Sequence, residues 1–213
     1  MHKPLILLGG GGHCKSVIEA AESAGLNIMG ILDRQEEVGK KVLCYEVIGT
    51  DDDIPYYIYK AEFVITVGFI KSTEVRIKLY NKVKDVGGTL ATIVASTAHV
   101  SKYATIGEGT VILHGAMVNA GATIGRNCII NTAANIEHDV VIGDQCHIST
   151  GTFVNGDCRV GNNVFIGSNS VIANGLTIAE NTIIGAGTVC CKDITYPGLY
   201  VGNPAKLIRR EGV

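Results

Sequence analysis

A histidine and an aspartate stand side by side in the segment NTAANIEHDVVIGDQCHIS, at His138 and Asp139. Imidazole can take up a proton near neutral pH, and a carboxylate beside it can orient the ring and raise its basicity. A second histidine, His147, follows nine residues later. The pair therefore has the composition of a general base with its supporting acid, and a solvated or packing histidine at a turn is the structural alternative.

A second group of candidates is the glycine run GGGGH at residues 9–13, between the apolar run Leu5–Leu8 and a stretch typical of a helix, His13–Ala24. Strand, glycine turn and helix open a dinucleotide-binding unit, and amides at such a helix N-terminus can face phosphate. The full glycine fingerprint fails at Cys14, although Asp33 lies where a ribose-binding acid would be. We therefore expect a half-site for a nucleotide or nucleotide sugar, with a tight turn that holds no ligand as the alternative.

Alternating strands and helices over residues 1–90 must position this turn. NIMGILD predicts a strand that ends at Asp33, FVITVG predicts one that ends at Gly68, and a helix is expected over Lys71–Asp85. The predicted buried stripe of that helix is Val75, Leu79, Val83 and Val86. This order indicates a parallel sheet, whose ligands bind at the carboxyl ends of the strands. Those ends are Gly9–His13, Asp33–Arg34 and Gly68–Phe69.

A period of six governs the rest of the chain. The sixteen positions that step by six from Val94 to Ile184 are all Val or Ile, with no insertion or deletion. Neither a helix nor an alternating strand has this period. A triangular coil has it, because each flat face turns one stiff β-branched side chain inward, onto the residue 18 positions away. We therefore predict about five coils of a parallel β-helix over residues 91–213, with glycine and asparagine at the corners.

Composition and charge exclude several classes of protein. The chain of 213 residues has room for two domains, and its net charge of −2 gives no basic field for a nucleic-acid partner. No apolar run approaches the ~20 residues of a membrane span, and the first strand is too short for a secretory signal. We therefore expect a cytoplasmic protein with no membrane partner. The seven cysteines lack metal-site spacing, and three of them occupy the small core slot of the repeat. These three are Cys128, Cys146 and Cys158.

The sixfold period resembles the hexapeptide-repeat family of left-handed parallel β-helices, and the left hand is implied by that resemblance alone. The whole chain is similar to the PglD/NeuD-type sugar acetyltransferases, which include bacillosamine-pathway and perosamine N-acetyltransferases and sialic acid O-acetyltransferases. The matching pieces are GGGGH, ILD, VITVG, IEHDVVIG, CHIS and YVGNPAKLI. The resemblance implies a Rossmann-like α/β domain at residues 1–90, which binds a nucleotide sugar, and a left-handed β-helix at 91–213, which binds acetyl-CoA and carries out catalysis.

The resemblance also implies a role for each matching residue. His138 matches the general base, and Asp139 matches the neighbouring acid, where bacillosamine enzymes carry glutamate. The positions that match acetyl-CoA contacts are His147, Ser168, Ala186, Gly202, Asn203, Pro204 and Lys206. The positions that match the nucleotide-sugar pocket are Gly11, Gly12, His13, Asp33, Arg34 and Gly68. Phe69 departs from the asparagine that members often carry after VITVG, which leaves the contact to the base or sugar open.

These roles lead us to expect direct acetyl transfer from acetyl-CoA to the 4-amino group of a UDP-, GDP- or dTDP-linked amino-deoxy sugar for bacterial surface glycans. The resemblance implies a homotrimer with sites between subunits, and no metal enters the mechanism. An O-acetyltransferase of sialic acid or a related sugar is the first alternative, since the same base could serve it. A trimeric scaffold, a serine or tetrahydrodipicolinate acyltransferase and a dehydrogenase fit the motifs less well. The nucleotide, the sugar and the pathway stay open.

Overall fold

The computed structural model describes residues 3–69 and 72–210. The chain divides into two compact units, Met1–Ser96 and Thr97–Val213. The strands and helices of the first unit are β1 (Leu5–Leu8), α1 (Gly12–Ser23), β2 (Ile28–Leu32), β3 (Lys41–Val42), β4 (Tyr45–Gly49), α2 (Ile54–Tyr57), β5 (Glu62–Ile65), α3 (Glu74–Asp85) and β6 (Ile93–Val94).

The first unit contains the expected parallel sheet. Its strand order is β3-β4-β2-β1-β5, in which β1, β2, β4 and β5 run parallel and only β3 is antiparallel to its neighbour. Strand β1 pairs with both β2 and β5, and therefore the three strand ends that were expected to carry the ligand site lie side by side. The short pair β3 and β4 adds a hairpin that the sequence patterns did not predict.

Helix α3 differs from its predicted buried stripe. Leu79 and Val83 are buried as expected, whereas Val75 is 57% exposed and Arg76 is only 1% exposed. Arg76 takes the inward position because its guanidinium donates hydrogen bonds to backbone carbonyls at the end of β5. The prediction for Val75 was therefore wrong, since apolar periodicity does not register a hydrogen-bonded cation as a core residue. Lys71, the predicted first residue of this helix, lies outside the described residues.

The second unit is a triangular β-helix with three faces. The first face contains β7 (His99–Val100), β10 (Met117–Val118), β13 (Asn135–Ile136), β16 (Phe153–Val154), β19 (Val171–Ile172) and β22 (Val189–Cys190). The second contains β8 (Thr105–Ile106), β11 (Thr123–Ile124), β14 (Val141–Ile142), β17 (Arg159–Val160) and β20 (Thr177–Ile178). The third contains β9 (Val111–Ile112), β12 (Ile129–Ile130), β15 (His147–Ile148), β18 (Phe165–Ile166), β21 (Ile183–Ile184), β23 (Gly198–Val201) and β24 (Lys206–Arg210).

The inward column confirms the sixfold period. From β7 to β19, each strand pairs in parallel with the strand 18 residues further along the chain. The repeat residues from Ile112 to Ile184 are all buried, so each β-branched side chain stacks on its counterpart in the next coil. The three cysteines of the small slot are buried too, and burial raises the pKa of the Cys146 thiol well above its ordinary value. They are core residues, as expected.

The corners are set by a second column with the same period. Every sixth residue from Gly109 to Gly187 has a positive φ angle. Fourteen positions share this left-handed conformation, and twelve of them are Gly, Asn or Asp, the residues that tolerate it best. Asp139 is one of the fourteen, with φ of +62°. The corner that carries the candidate acid is therefore built like the other corners.

Two further features bear on function. No helix within residues 3–69 and 72–210 has the length and apolar character that crossing a membrane requires. Among the same residues, no three or more His, Cys, Asp or Glu side chains are grouped so that they could hold a metal ion.

Shortening a side chain of the inward column is expected to destabilise the β-helix. Ile148 is fully buried between its counterparts one coil away on each side, so Ile148→Ala leaves a cavity that the rigid coils cannot close. We expect a loss of about 2–5 kcal/mol in the free energy of unfolding. Thermal and urea unfolding followed by circular dichroism measure it. The control Thr177→Ala, at an exposed outward position, should change stability by less than about 0.5 kcal/mol, and an equal loss in both variants would contradict the stacking described here.

Candidate active site

His138 and Asp139 form a hydrogen-bonded pair at the corner that follows β13, between the first and second faces. The Nδ1 atom of His138 lies 3.0 Å from Oδ2 of Asp139. Both side chains are largely exposed, at 63% and 66%. With Nδ1 bound to the carboxylate, Nε2 is the ring atom left to accept a proton from a substrate. The structure thus brings together the two residues that the sequence assigns to proton transfer.

The surroundings of His138 favour its protonated form. The hydrogen bond that the His138 ring donates to Asp139 is the main cause that raises the pKa of His138 above the ordinary histidine value, with smaller contributions from the charges of Asp139, Glu137 and Asp157. Glu137 is itself held in place, because its carboxylate accepts hydrogen bonds from Asn119 at 2.9 Å and Asn135 at 3.1 Å. The imidazole is therefore a stronger base than an isolated histidine.

Two glycines, one on each neighbouring coil, lie against this pair. A Cβ atom at Gly156 would lie 2.7 Å from both Cε1 and Nε2 of His138, and one at Gly121 would collide with Oδ1 of Asp139. Within the described structure, the backbone N–H of Gly156 donates no hydrogen bond. A backbone N–H that donates no hydrogen bond and belongs to a residue next to a general base can stabilise a developing oxyanion. The motif search missed Gly156, and only its spacing of 18 residues from His138, one coil, could have indicated it.

His147 lies apart from this pair, on strand β15 of the third face. It is 7% exposed, and its Nε2 atom lies 3.1 Å from Nδ2 of Asn131. Its ring also meets Phe165 edge-on, with centroids 5.2 Å apart. These contacts fix the ring orientation. Because His138 follows a first-face strand, the two histidines are not brought together within one chain.

Ser168 and Ala186 share the corner between the third and first faces. The Oγ atom of Ser168 lies 2.9 Å from that of Ser149, and the N–H of Gly187 donates to the carbonyl of Ser168 at 2.8 Å. Ala186 therefore lies one coil beyond Ser168 on the same edge. Both residues were expected to contact acetyl-CoA, and the structure places them in one column.

The segment Gly202–Lys206 lies against the end of the same edge. Gly202 accepts a hydrogen bond from the N–H of Val189 at 3.0 Å, and the N–H of Ala205 donates to the carbonyl of Val189 at 2.8 Å. Asn203 and Pro204, in the exposed turn between them, complete the segment. Ser168 and Ala186 thus form one column on the corner between the third and first faces, and the segment Gly202–Lys206 contacts the strand that follows this corner, β22.

In the first unit, the glycine turn is tied to the end of β2 by Asp33. Its Oδ2 atom accepts a hydrogen bond from the N–H of Gly10 at 2.6 Å, and its Oδ1 atom accepts one from the N–H of Arg34 at 2.7 Å. Asp33 therefore fixes its own chain, and each oxygen keeps a further lone pair for a ligand. The Arg34 side chain is exposed and pairs with Glu36 at 3.2 Å.

The other pocket residues lie around the start of α1. Gly11 and Gly12 are exposed there, and a Cβ atom at Gly68 would lie 3.7 Å from Cβ of His13. Cys14, which interrupts the glycine fingerprint, is buried on the inner side of α1, and burial raises the pKa of its thiol to about 11. The ends of β1, β2 and β5 are thus brought together as expected.

A cavity of about 310 Å³ opens between the glycine turn and the hairpin of β3 and β4. This volume lies at the lower end of the range of small-molecule sites. The residues that line it are Gly10, Lys15, Asp33, Glu37, Lys40, Lys41, Val42, Leu43 and Val47. The three lysines were not among the predicted site residues, because two of them lie on or beside the hairpin that was not predicted.

Comparison with known proteins bears on both units. The PglD N-terminal domain profile matches residues 4–83, and the bacterial transferase hexapeptide profile matches residues 103–132 and 157–192. Perosamine N-acetyltransferase from Caulobacter crescentus, solved with CoA and GDP-perosamine, is 32% identical, with a TM-score of 0.89 over 96% of each chain. The chain belongs to the PglD/NeuD-type acetyltransferase family.

A second relative of this acetyltransferase is the acetyltransferase domain of PglB from Neisseria gonorrhoeae FA1090. It is 29% identical, with a TM-score of 0.90 over 97% of this chain and 100% of that one, and it has also been solved with acetyl coenzyme A. Further structures of the Caulobacter enzyme carry Asn or Ala in place of one histidine. A search of curated protein sequences found no match. The family membership confirms the expected fold, an α/β domain followed by a left-handed β-helix.

Replacing Asp139 is expected to lower the pKa of His138 in this acetyltransferase. Asp139→Asn removes the charge and weakens the hydrogen bond that together favour the imidazolium. The pKa should therefore fall toward the ordinary histidine value, as measured by NMR titration of the ring protons. The other histidine resonances serve as internal controls. An unchanged pKa would show that the carboxylate does not bind the ring in solution.

Filling the space at Gly156 is expected to displace the same ring. Gly156→Ala puts a methyl group where the imidazole now lies, so the bond to Asp139 should weaken and the pKa of His138 should fall. NMR titration again measures the shift, and thermal unfolding establishes that the coils remain intact. A titration curve identical to that of the wild type would contradict the close approach of Gly156.

Proposed function

We propose that this enzyme transfers the acetyl group of acetyl-CoA directly to the 4-amino group of a nucleotide-linked amino-deoxy sugar. The observation that carries the proposal is the His138–Asp139 pair on the β-helix of an acetyltransferase whose 32% identical relative has been solved with CoA and GDP-perosamine. The ligands of that relative support a nucleotide-linked amine as the acceptor here. We place the reaction in the cytoplasm, in the supply of sugars for surface glycans.

The proposed chemistry begins at Nε2 of His138. The neutral acceptor amine attacks the thioester carbon, and Nε2 takes a proton from the attacking nitrogen while Nδ1–H stays bound to Asp139. The carbonyl oxygen becomes an oxyanion, for which we assign the N–H of Gly156 as a donor, because this glycine lies against the ring of His138. Collapse of this intermediate forms the amide carbonyl, breaks the C–S bond and releases CoA, whose sulfur receives the proton from His138.

No covalent acetyl-enzyme is needed in this proposal, since two bound substrates react as in an intramolecular step, which supplies much of the rate acceleration. The cysteines in the small slot of the repeat support direct transfer, because their thiols are buried in the coil interior. Burial also raises the pKa of the Cys146 and Cys158 thiols, which keeps them protonated and therefore poorly nucleophilic. Trapping of an acetylated Cys or Ser during turnover would exclude the direct route.

The separation of the site residues on one β-helix supports a homotrimer. The first face has His138 along one edge and the column of Ser168 and Ala186 along its other edge. If the first faces of three copies turn toward a threefold axis, the His138 edge of each copy lies beside the Ser168 edge of the next. Met117 and Phe153, exposed on the first face, would then be covered. The proposed trimer has three sites, each built from two subunits.

The acceptor is assigned to the first unit. Its glycine turn offers backbone N–H groups at the N-terminus of α1, where phosphate binds readily. The cavity beside that turn contains Lys15 and Lys41, which within the described residues form no ion pair. The cavity lining carries three lysines against two carboxylates, and this net positive charge beside the N-terminus of α1 suits a nucleoside diphosphate. The same residues do not indicate which base is bound.

Loss of the base is expected to abolish most of the activity. His138→Ala should lower kcat by roughly 10²–10⁴ with little change in the KM of either substrate, as measured by thiol release from acetyl-CoA. In the wild type, kcat should fall as the pH drops through the raised pKa of His138, and Asp139→Asn should move this acidic limb to lower pH. Thr177→Ala, at an exposed second-face position, is the control and should keep the wild-type kcat. Wild-type turnover by His138→Ala would exclude this residue as the base.

Subunit complementation tests the site between copies. His138→Ala removes the base, and Ala186→Trp blocks the column expected to hold acetyl-CoA, so each homotrimer should be inactive. Random mixed trimers from co-expression should regain about a quarter of the wild-type sites, because half the copies supply each intact edge. Native mass spectrometry verifies the mixing. Mixed trimers without activity, or a monomer in light scattering at micromolar concentration, would contradict the arrangement.

A panel of acceptors tests the reaction class. Thiol release from acetyl-CoA would be followed with UDP- and dTDP-linked 4-amino-4,6-dideoxy sugars, with GDP-perosamine, and with free and CMP-linked sialic acid. We expect turnover with an amino sugar and none with sialic acid. Turnover with sialic acid alone would replace the proposal with O-acetylation.

A further inference from the structure

Arg76 is the largest fully buried side chain in the described residues. It lies on α3 with 1% of its surface exposed, and its guanidinium stays charged at any physiological pH. Burying a charge is costly unless it is well hydrogen-bonded, and an apolar side chain of similar size is often as stable in such a place. Core packing alone therefore does not account for an arginine at this position.

The guanidinium binds the carboxyl end of β5. Its Nη1 atom donates hydrogen bonds to the carbonyls of Ile65, at 3.1 Å, and Val67, at 2.6 Å. One nitrogen thus bridges two carbonyls on either side of Thr66, where the strand has ended and the chain begins to turn. The bridge fixes the path of the chain just before Gly68.

Thr66 joins the same segment to the glycine turn on its other side. Its N–H donates to the carbonyl of Leu8 at 2.9 Å, and its hydroxyl donates to the carbonyl of Gly9 at 2.5 Å. The side chain of Val67 fills the space beside Gly9, where a Cβ atom would lie 2.5 Å from Cγ2 of the valine. A shift of residues 65–67 would therefore move the glycine turn as well.

We propose that Arg76 is a positioning residue for the nucleotide-sugar pocket. It holds the end of β5 so that Gly68 and the glycine turn with His13 keep the spacing that the acceptor requires. This inference rests on the proposed function of the first unit as the acceptor site. It predicts an effect on the acceptor alone, because every residue that Arg76 fixes by these bonds lies at the strand ends of that unit.

Two substitutions separate the hydrogen bonds of the guanidinium from the bulk of the side chain. Arg76→Lys keeps a charge, but its ammonium ends one bond short of Nη1, the atom that donates to both carbonyls. Arg76→Met keeps an unbranched side chain without charge or donor. Each should raise the acceptor KM by about 10- to 100-fold, since small displacements of binding groups have effects of that order. The KM for acetyl-CoA should stay within about twofold. Lys78→Met, at an exposed position on the same helix, is the control and should leave both values unchanged.

Binding of nucleoside diphosphates by calorimetry gives a readout that does not need acetyl transfer. The Kd of GDP, UDP or dTDP, whichever the wild type binds, should rise in Arg76→Lys in parallel with the acceptor KM. Hydrogen exchange should become faster at the amides of Thr66 and of residues 9–13. If Arg76→Met does not fold, Arg76→Lys alone decides the outcome.

Three results would overturn the inference. The first is a folded Arg76→Lys with the acceptor KM and nucleotide Kd of the wild type. The second is an equal rise in the KM of acetyl-CoA, with a lowered melting temperature, which would make Arg76 a general stability residue. The third is a wild type that binds no nucleoside diphosphate. Failure of the proposed function gives a different result, in which the wild type binds a nucleotide but acetylates no amino sugar. The nucleotide Kd values of the wild type and of Arg76→Lys can then still be compared.

Discussion

The arrangement of the β-helix depends on one constraint, the stacking of a β-branched side chain on the residue 18 positions away. Every coil must then contain the same number of residues, and each outward residue lies directly above its counterpart in the coil before. For this reason Gly121 and Gly156 lie against the His138–Asp139 pair, although each glycine is one coil away from the pair in the sequence. The space that the pair occupies comes from glycines in neighbouring coils, and the left-handed corner that carries Asp139 comes from the repeat itself.

The acceptor unit is organised by polar side chains that bind backbone. Asp33 joins the end of β2 to the glycine turn through the N–H of Gly10, and Thr66 joins the end of β5 to the same turn through the carbonyl of Gly9. Arg76, on α3, donates a hydrogen bond to the carbonyl of Val67 just after the end of β5. The core of this sheet is largely apolar, and these bonds connect the strand ends at its edge. In this unit, apolar side chains fill most of the core, while polar side chains join the segments that form the expected pocket.

The core of the β-helix could be predicted position by position, because the period of six is strict and each position repeats the same environment. The His138–Asp139 contact could be predicted too, since the residues are adjacent at a corner. Gly156 could not be found from motifs, because its importance arises from a neighbour one coil away rather than from its own segment. The inward position of Val75 was predicted wrongly because hydrophobicity ranks valine above arginine. The structure places Arg76 there instead, where it donates to two backbone carbonyls at the end of β5. The hairpin of β3 and β4 escaped prediction because β3 has only two residues.

The strict period also limits how the length of this chain can change. Removal or insertion of one hexad in the coils after β13 would rotate everything beyond it by about a third of a turn. The edge with Ser168 and Ala186 would then occupy the position of a different edge of the triangle, while the hydrophobic interior would remain filled. Such a variant would fold with all its coils and still present its two half-sites in the wrong directions. Only whole coils can be gained or lost with the facing edges preserved, so family members that differ in β-helix length are expected to differ by multiples of 18 residues.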